Sequence, residues 1–313
     1  MIEDVVTEAG QAEAGQIEAL KIRIDALERR NTELATMLEY LHFWTIRSDE
    51  NIRDLTSRIG GLPEAERDTR GIFEFKWQQL NKGVSSLENP EHKAVIADTV
   101  LRWTGLNREW FKGKRVLDAG CGDGRLSYGL CSLGAIVTSM DQSTKGVQRT
   151  VEYCKEFPGH RGIVWNLLDR YEAEPASFDL VLSFGVIHCT GDTRKSMANL
   201  DSLIKPGGYL ALMVYGYPRP GHHGDFVHMV RKERIRQAIR HMTGEEAVAY
   251  IQQQLDAGEI RGDARGWYDA TAPRVEDHYT FPQLSQMMQE LNYTDIVLLD
   301  EAIRNIAVRG RKP

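Results

Sequence analysis

The segment 116–124 constrains the fold of this chain more than any other. It reads Val-Leu-Asp-Ala-Gly-Cys-Gly-Asp-Gly, so an apolar stretch typical of a strand leads into three glycines at alternate positions, and a helical pattern follows. Because glycine has no Cβ, such a loop turns sharply and lets a ligand contact its backbone. The amides at the start of the next helix are free to bind that ligand. The segment therefore predicts a cofactor-binding loop.

Two aspartates distinguish between the cofactors that a glycine loop can hold. The spacing here is GxGxG, whereas dinucleotide-binding folds use GxGxxG. Asp118 precedes the glycines, and Asp141 ends the next predicted strand. The first carboxylate would repel a pyrophosphate and attract an amino group, and the second is placed to accept hydrogen bonds from ribose hydroxyls. This pair favours S-adenosylmethionine over NAD; the alternative is a tight turn with two aspartates there by chance.

Strands and helices alternate from Lys114 onward, and this order predicts the fold class. Repeated βα units predict an α/β fold with a doubly wound, Rossmann-like sheet of seven strands. The stretch 221–280 has no strand pattern and predicts a helical insertion that covers the substrate side of the sheet. The predicted strands are 115–118, 135–140, 163–165, 178–184, 209–215, 295–299 and 303–309.

Ahead of this unit, apolar residues recur at alternating steps of three and four from Ile17 to Ile59. A 3.5-residue repeat held over roughly six heptads is typical of a coiled coil. A single core asparagine, Asn31, favours a parallel dimer over a trimer, because an amide is tolerated best when it faces its twin. Arg23 and Glu28 flank this seam where opposite charges of two strands meet. A long helix folded back on the globular unit is the alternative.

These patterns divide the chain into four parts. Residues 1–16 are predicted to be a disordered N-terminus, and 17–59 a coiled-coil oligomerisation helix that Gly60 ends. Residues 60–112 are predicted to form a helical bridge on the substrate side. Residues 113–313 then form the cofactor-binding domain with its helical cover.

Composition narrows the environment of the protein. The four cysteines lack CxxC spacing, which argues against a zinc site and a disulfide framework. An acidic N-terminus and the lack of a long apolar run argue against a secretory signal and a membrane span. A net charge of −6 gives no electrostatic footprint for nucleic acid. These features predict a cytoplasmic protein with no nucleic-acid partner and no membrane span.

Residues from about 113 to 215 resemble class I S-adenosylmethionine-dependent methyltransferases, in particular the group with Asp-x-Gly-x-Gly-x-Gly after the first strand. Segment 178–183 resembles the fourth strand of that family, 185–188 its Gly-Val-Leu-His-His region and 204–208 its Leu-Lys-Pro-Gly-Gly turn. The resemblance implies S-adenosylmethionine as the cofactor. The cofactor-binding residues that it implies are Asp118, Gly120, Cys121, Gly122, Gly124, Asp141, Gln142, Asn166, Leu167, Ser183 and Phe184.

Within that set, the resemblance assigns different ends of the cofactor to different residues. It places Asp118 and Gly120 at the methionine end and Asp141 at the ribose. Asn166 would frame the adenine edge, where relatives often carry Gly-Asp-Ala. This departure leaves Asp169 as the alternative contact.

Methyl transfer requires an aligned acceptor, and an oxygen acceptor usually also requires a base. His188 follows the fourth predicted strand at the sheet edge where ligands bind, and Tyr268 and His278 lie in the cover. These three are the candidate catalytic residues; the alternative for each is a structural or surface role. His222 and His223 would point opposite ways on an extended chain, so no metal site is predicted.

The sequence thus predicts a methyltransferase that uses S-adenosylmethionine and methylates an oxygen of a small molecule or saccharide, as a homodimer held by its N-terminal coil. Residues 267–278 resemble methyltransferases of polysaccharide and secondary-metabolite pathways. One alternative is a carbon- or nitrogen-directed small-molecule methyltransferase. The other is a non-catalytic scaffold that retains the cofactor-binding fold and recruits partners through its coil.

Overall fold

The computed structural model describes the backbone of residues 2–57, 64–80, 87–219, 221–302 and 305–313, with the side chains of 17–46, 69–80, 87–219, 221–300 and 305–313. The helices in these ranges are α1 (Ile2–Ser57), α2 (Glu64–Gln79), α3 (Pro90–Thr104), α4 (Arg125–Ser132), α5 (Thr144–Tyr153), α6 (Thr193–Asp201), α7 (His223–Ile239), α8 (Gly244–Asp256), α9 (Ala264–Thr271) and α10 (Phe281–Glu290). The strands are β1 (Arg115–Ala119), β2 (Ile136–Asp141), β3 (Arg161–Val164), β4 (Phe178–Phe184), β5 (Ile204–Tyr215), β6 (Thr294–Ala302) and β7 (Asn305–Arg311).

One seven-stranded sheet organises the domain, in the order β3-β2-β1-β4-β5-β7-β6. Strands β1 to β5 pair in parallel, and β7 lies antiparallel between β5 and β6. The strand order reverses between β1 and β4, so a crevice opens at their carboxyl ends. The predicted doubly wound α/β fold with seven strands is confirmed.

Helices bury both faces of the sheet. Successive strand residues point to opposite faces, so Leu117 joins the apolar cluster on one face and Val116 the cluster on the other. In β4, Val181 and Leu180 divide in the same way, and both are fully buried. A strand that is covered on both faces carries apolar residues at most successive positions. Five of the seven residues of 178–184 are apolar, which is why the sequence predicted a central strand there.

The predicted element boundaries differ from the structure in α1, in the cover and in β5, which begins at Ile204 and so includes the predicted turn 204–208. α1 begins at Ile2, so the segment predicted to be disordered, 1–16, is helical from its second residue. The long helical stretch of the cover is two helices, because Thr243 caps α8 in a capping box with Glu246 and so ends the continuity with α7. The predicted end of the coil at Gly60 lies outside the described residues.

The cover has a small core of its own beside the sheet. Ile235 of α7, Ile251 of α8 and Trp267 of α9 pack together there. α1 reaches this cover late in its course, where Tyr40 packs against Met229 and Val230 of α7. None of the described helices combines the length and the apolar character that crossing a bilayer requires.

Candidate active site

A cavity of about 630 Å³ lies at the carboxyl ends of the parallel strands. The glycine loop after β1, helix α2 and the end of β5 form three of its sides, and the cover helices α7 and α9 form the remaining one. Open α/β sheets bind their ligands in a concave site at this switch point. The cavity is therefore the candidate active site.

Backbone forms the wall of the cavity at the glycine loop. Gly120 and Gly122 have φ angles of +89° and +55°, which residues with a Cβ rarely adopt. A Cβ on Gly120 would lie 2.3 Å from Val186 Cγ2, and one on Gly122 would lie 2.6 Å from Cζ2 of Trp77. The amide of Gly120 donates to the carbonyl of Met140 over 2.7 Å. Both positions thus require glycine, and the loop is held against β2.

Asp141 joins the glycine loop to the start of α5. Its Oδ2 accepts a hydrogen bond from the Gly122 amide at 2.9 Å, and its Oδ1 accepts one from the Ser143 amide at 2.8 Å. Burial raises the pKa of Asp141, although both amides act against that shift. The side chain also borders the cavity. Its carboxylate is therefore fixed beside the loop, where sequence reasoning placed the ribose of the cofactor.

Asp118 departs from its predicted role, because its side chain lies beneath the loop and not on the cavity wall. It is 1% exposed and accepts a 2.6 Å hydrogen bond from Ser127 Oγ of α4. Ser127 in turn accepts one from Ser139 Oγ of β2. Burial raises the pKa of Asp118 to about 7, against the hydrogen bond from Ser127. In this structure Asp118 supports the loop from below, since α4 presents a hydroxyl to it there.

Most of the other predicted cofactor residues border the cavity. Those that do so are Gly120, Cys121, Gly122, Asp141, Gln142, Asn166, Leu167 and Phe184. Gly124 instead caps α4, and Ser183 is fully buried inside the sheet. Asn166 Oδ1 accepts a hydrogen bond from the Leu168 amide at 3.0 Å, so this side chain also shapes the loop after β3.

Helix α2 covers the glycine loop from the side opposite the sheet. Trp77 lies over Gly122 and is 7% exposed. Glu74 Oε2 accepts a 2.5 Å hydrogen bond from Ser143 Oγ at the start of α5. Lys76 forms a buried ion pair with Asp269 of α9; burial lowers the pKa of Lys76, and Asp269 acts to raise it. These contacts join α2 both to the loop and to the cover.

The far end of the cavity carries a buried ionic cluster around Glu276. This carboxylate is fully buried and pairs with Lys232 of α7 and, over 2.8 Å, with Nη2 of Arg236. His278 Nε2 lies 3.3 Å from Glu276 Oε1. Lys232 Nζ is 4.4 Å from the centre of the Tyr215 ring at the end of β5. Lys232, His278 and Tyr215 all border the cavity, so titratable groups converge on this end of it.

Two of the three candidate catalytic residues lie away from the cavity wall. His188 is fully buried behind Tyr215, with their ring centres 4.2 Å apart, because the turn after β4 rotates it into the domain. Tyr268 borders a second, smaller cavity beside Phe75. His278 is the candidate that the structure brings to the active site.

Sequence reasoning missed the charged residues that face the cavity from the cover. Lys232 and Glu276 lie in the insertion, and Arg265 of the same segment pairs with Asp123 of the glycine loop. Their partners are between 44 and 142 residues away along the chain, so no local spacing marks them. No sequence pattern marked them, because Glu276 lies in a loop and α7 carries charged residues along its whole length.

The sequence family described as "Methyltransferase domain" matches residues 111–261. These residues are therefore similar to a methyltransferase domain. The match covers the glycine loop, the sheet to β5 and the helices α7 and α8, which hold most of the cavity wall. It confirms the predicted enzyme class and, with it, S-adenosylmethionine as the cofactor.

The residues of the methyltransferase cavity fit that cofactor. The glycine loop has no space for a Cβ at Gly120 or Gly122. The carboxylate of Asp141 borders the cavity, where it can accept hydrogen bonds from hydroxyl groups. Within the described part of the chain, Nε1 of Trp77 is buried at the cavity wall without a hydrogen-bond acceptor. A buried indole N–H usually has a partner, so this atom is available to a bound ligand.

Curated relatives share about half of this chain. A ubiquinone biosynthesis O-methyltransferase of Maricaulis maris is 28% identical over 176 residues, 49% of this chain and 67% of the relative. A mitochondrial one of Schizosaccharomyces pombe is 32% identical over 160 residues, 44% of this chain and 58% of the relative. The chain spans only 42% of the length of a further such relative, from Coxiella burnetii. A solved Burkholderia thailandensis N1-methyltransferase aligns with 80% of this chain and 92% of its own, at a TM-score of 0.47 and 15% identity.

Proposed function

We propose that this chain transfers the methyl group of S-adenosylmethionine to a hydroxyl group of a small molecule or saccharide. The observation that carries this proposal is the buried His278–Glu276 pair, which lies at the end of the cavity opposite the glycine loop. The names of the curated relatives, which are O-methyltransferases, support oxygen as the acceptor atom.

When bound, S-adenosylmethionine supplies an electrophilic methyl group on a sulfonium. The chain aligns the acceptor for in-line displacement, excludes water and removes the hydroxyl proton. His278 is the group that takes this proton from the acceptor O–H. Glu276, 3.3 Å away, stabilises the imidazolium that forms, as a carboxylate does for a histidine base in other enzymes.

The charged residues around Glu276 affect how well it can stabilise the imidazolium of His278. Glu276 and Glu233 balance Lys232 and Arg236 in a region from which water is largely excluded. A positive charge buried there needs a partner, and a protonated His278 shares the Glu276 carboxylate with Lys232 and Arg236. Lys232 borders the cavity, and in this proposal its charge stabilises the negative charge that develops on the acceptor oxygen.

Titration calorimetry and methyl transfer test the proposal together. We expect the full chain to bind S-adenosylmethionine and not NAD, and to transfer a radiolabelled methyl group to hydroxyl compounds in a panel of phenols, saccharides, amines and thiols. His278→Gln should lower kcat at least about tenfold with unchanged cofactor affinity. His42→Gln, on the exposed surface of α1, is the matched control.

Three results would contradict the proposal. Tight binding of NAD without S-adenosylmethionine would refute the cofactor. Labelling of amines or carbon acceptors alone would favour the nitrogen- or carbon-directed alternative. Cofactor binding without transfer to any compound of a cell extract would favour the scaffold alternative.

We also propose that two chains associate through the seam of α1, within the predicted segment 17–59. Every residue from 17 to 35 is exposed, although the seam is apolar. The exposed seam residues include Ile17, Leu20, Ile24, Leu27, Leu34, Leu38 and Leu41, each at least 50% exposed. A second copy would bury this stripe, align Arg23 with Glu28 of the other strand and place Asn31 opposite its twin.

Light scattering tests the association. The full chain should have the mass of two 35.5 kDa chains, and Leu27→Ser combined with Leu34→Ser should have the mass of one. A single-chain mass for both proteins would refute the coiled coil, and a mass of three chains would refute the role of Asn31. The cytoplasmic location remains a prediction from composition, as does the division of the chain at 60, 113 and 221–280.

A further inference from the structure

The part of α1 around residues 39–44 packs on the cover through one face. Oε1 and Oε2 of Glu39 accept hydrogen bonds from Nε and Nη2 of Arg234, over 2.6 and 2.7 Å. The Tyr40 ring packs edge-on against Phe226, with ring centres 5.6 Å apart. Trp44 follows four residues after Tyr40 and therefore lies on the same face of α1. α1 is therefore seated on the domain by a paired charge and by aromatic rings.

Trp44 contacts the far end of the cavity from outside. This end, where Lys232, Glu276 and His278 lie and where the proposed acceptor would bind, is called the acceptor end below. Its ring contacts Tyr217 edge-on at 5.3 Å and His278 at 6.2 Å between ring centres. Tyr217 and Tyr215 also lie beside His278, at 5.7 and 6.5 Å. The His278 side chain is 1% exposed. Three aromatic rings thus pack around the imidazole, and Glu276 contacts it as well.

The backbone holds the neighbours of His278 and leaves the ring to its aromatic contacts. The Tyr279 amide donates to the Tyr215 carbonyl at 2.9 Å, and the Asp277 amide donates to the His188 carbonyl at 2.7 Å. These bonds fix the chain on both sides of His278. The orientation of the imidazole then depends on Glu276 from within and on the Trp44 and Tyr217 rings from without.

We propose that Trp44 is a positioning residue for His278, so that the N-terminal helix, which lies outside the matched methyltransferase domain, completes the acceptor end of the active site. This inference rests on the proposed function of His278. Edge-on aromatic contacts have a preferred geometry, and a catalytic group displaced by about 1 Å loses much of its rate. Trp44 therefore acts by orienting the imidazole and by excluding water from it.

The positioning contact and the proposed dimer seam lie on different faces of α1. Leu38 and Leu41 are 66% and 55% exposed, whereas Tyr40 is buried against α7. A substitution in the seam therefore leaves the contact with His278 in place. This separation supplies a control on the same helix turn, Leu41→Ala.

The first test needs no acceptor. Diethyl pyrocarbonate modifies accessible imidazoles, and peptide mass spectrometry of the full chain reports the rate at His278, with exposed His42 and His222 as internal references. We expect Trp44→Ala to raise the rate at His278 at least about tenfold, Trp44→Phe to restore most of the protection, and Leu41→Ala to change nothing. An equal rate in Trp44→Ala and the unaltered chain would overturn the proposal.

The second test uses the acceptor hydroxyl found with the unaltered enzyme. Trp44→Ala should lower kcat about tenfold with unchanged affinity for S-adenosylmethionine, Trp44→Phe should recover most of it, and Leu41→Ala should retain it. In the His278→Gln background, Trp44→Ala should cause no further loss, because coupled residues are not additive. Additive losses would overturn the positioning role. Full activity of His278→Gln would instead refute the proposed function, while the modification result would stand.

Discussion

The two ends of the cavity are built in different ways. At the cofactor end, a short continuous segment supplies glycine backbone, and Asp141 fixes it to the next strand. At the acceptor end, ion pairs and rings come from distant parts of the chain, with Glu276 at their centre. The cofactor end therefore depends on steric fit to the backbone, which leaves no space for added atoms. The other depends on matched charges, which tolerate no unpaired partner.

The largest expected effect is on the cofactor end. Gly120→Ala places a methyl group 2.3 Å from Val186 Cγ2 at a φ of +89°, so the loop must shift. We expect affinity for S-adenosylmethionine, measured by titration calorimetry, to fall roughly 100-fold or more, in line with the loss of several kcal/mol from a displaced site. Gly113→Ala is the matched control, because its φ is also positive, at +68°, but nothing lies within 4 Å of the new methyl group. Equal losses in both variants would show that backbone strain, and not contact, governs this end.

The next effect concerns the acceptor end. Glu276→Gln leaves Lys232 buried without its carboxylate and Arg236 with Glu233 alone, and removing one partner of a buried ion pair costs about 3–5 kcal/mol. We expect a large fall in melting temperature and loss of methyl transfer. Glu290→Gln, which removes an exposed pair with Arg194, should leave both nearly unchanged. A stable Glu276→Gln variant with full activity would refute the importance of charge balance here.

The smallest effect returns to the cofactor end and depends on pH. Burial raises the pKa of Asp118 to about 7, above its ordinary value of 3.8. A group whose pKa is raised by folding stabilises the protein fully below its unfolded pKa, and this stabilisation is lost as pH rises through 7. The amide of Asp118→Asn cannot ionise. The melting temperature of this variant, measured relative to that of the unaltered protein, should therefore rise between pH 5 and pH 8. Asp98→Asn, exposed on α3, should track the unaltered protein, and a parallel pH course in Asp118→Asn would contradict the raised pKa.

Much of the fold was predictable because its signals are local. The segment 178–184 is apolar at every position except Asp179 and Ser183, and this pattern predicts a strand buried on both faces. The glycine loop and Asp141 were placed correctly at the cavity, since a strand end and the loop after it are fixed by a few adjacent residues. Helix α1 was predicted from its heptads, but its start at Ile2 was not, because nothing apolar marks the first turns.

The direction of individual side chains was not predictable in this way. Asp118 and Asp141 both end strands, yet one supports the loop from beneath and the other borders the cavity. His188 and His278 were equal candidates, and only the second reaches the active site. Each outcome depends on which hydroxyl, ring or carboxylate a neighbouring element presents, and that neighbour is remote in the chain.

The amino-acid sequence by itself determined the sheet, the glycine loop, the cofactor class and the N-terminal helix, because periodicity and glycine act over a few adjacent residues. The tertiary structure decided that Lys232, Glu276 and His278 meet at one end of the cavity. It also decided that Trp44, 234 residues before His278, packs against that histidine. Burial of charge and packing of rings depend on elements brought together only in the folded chain, and so the acceptor end of this methyltransferase is a property of the fold.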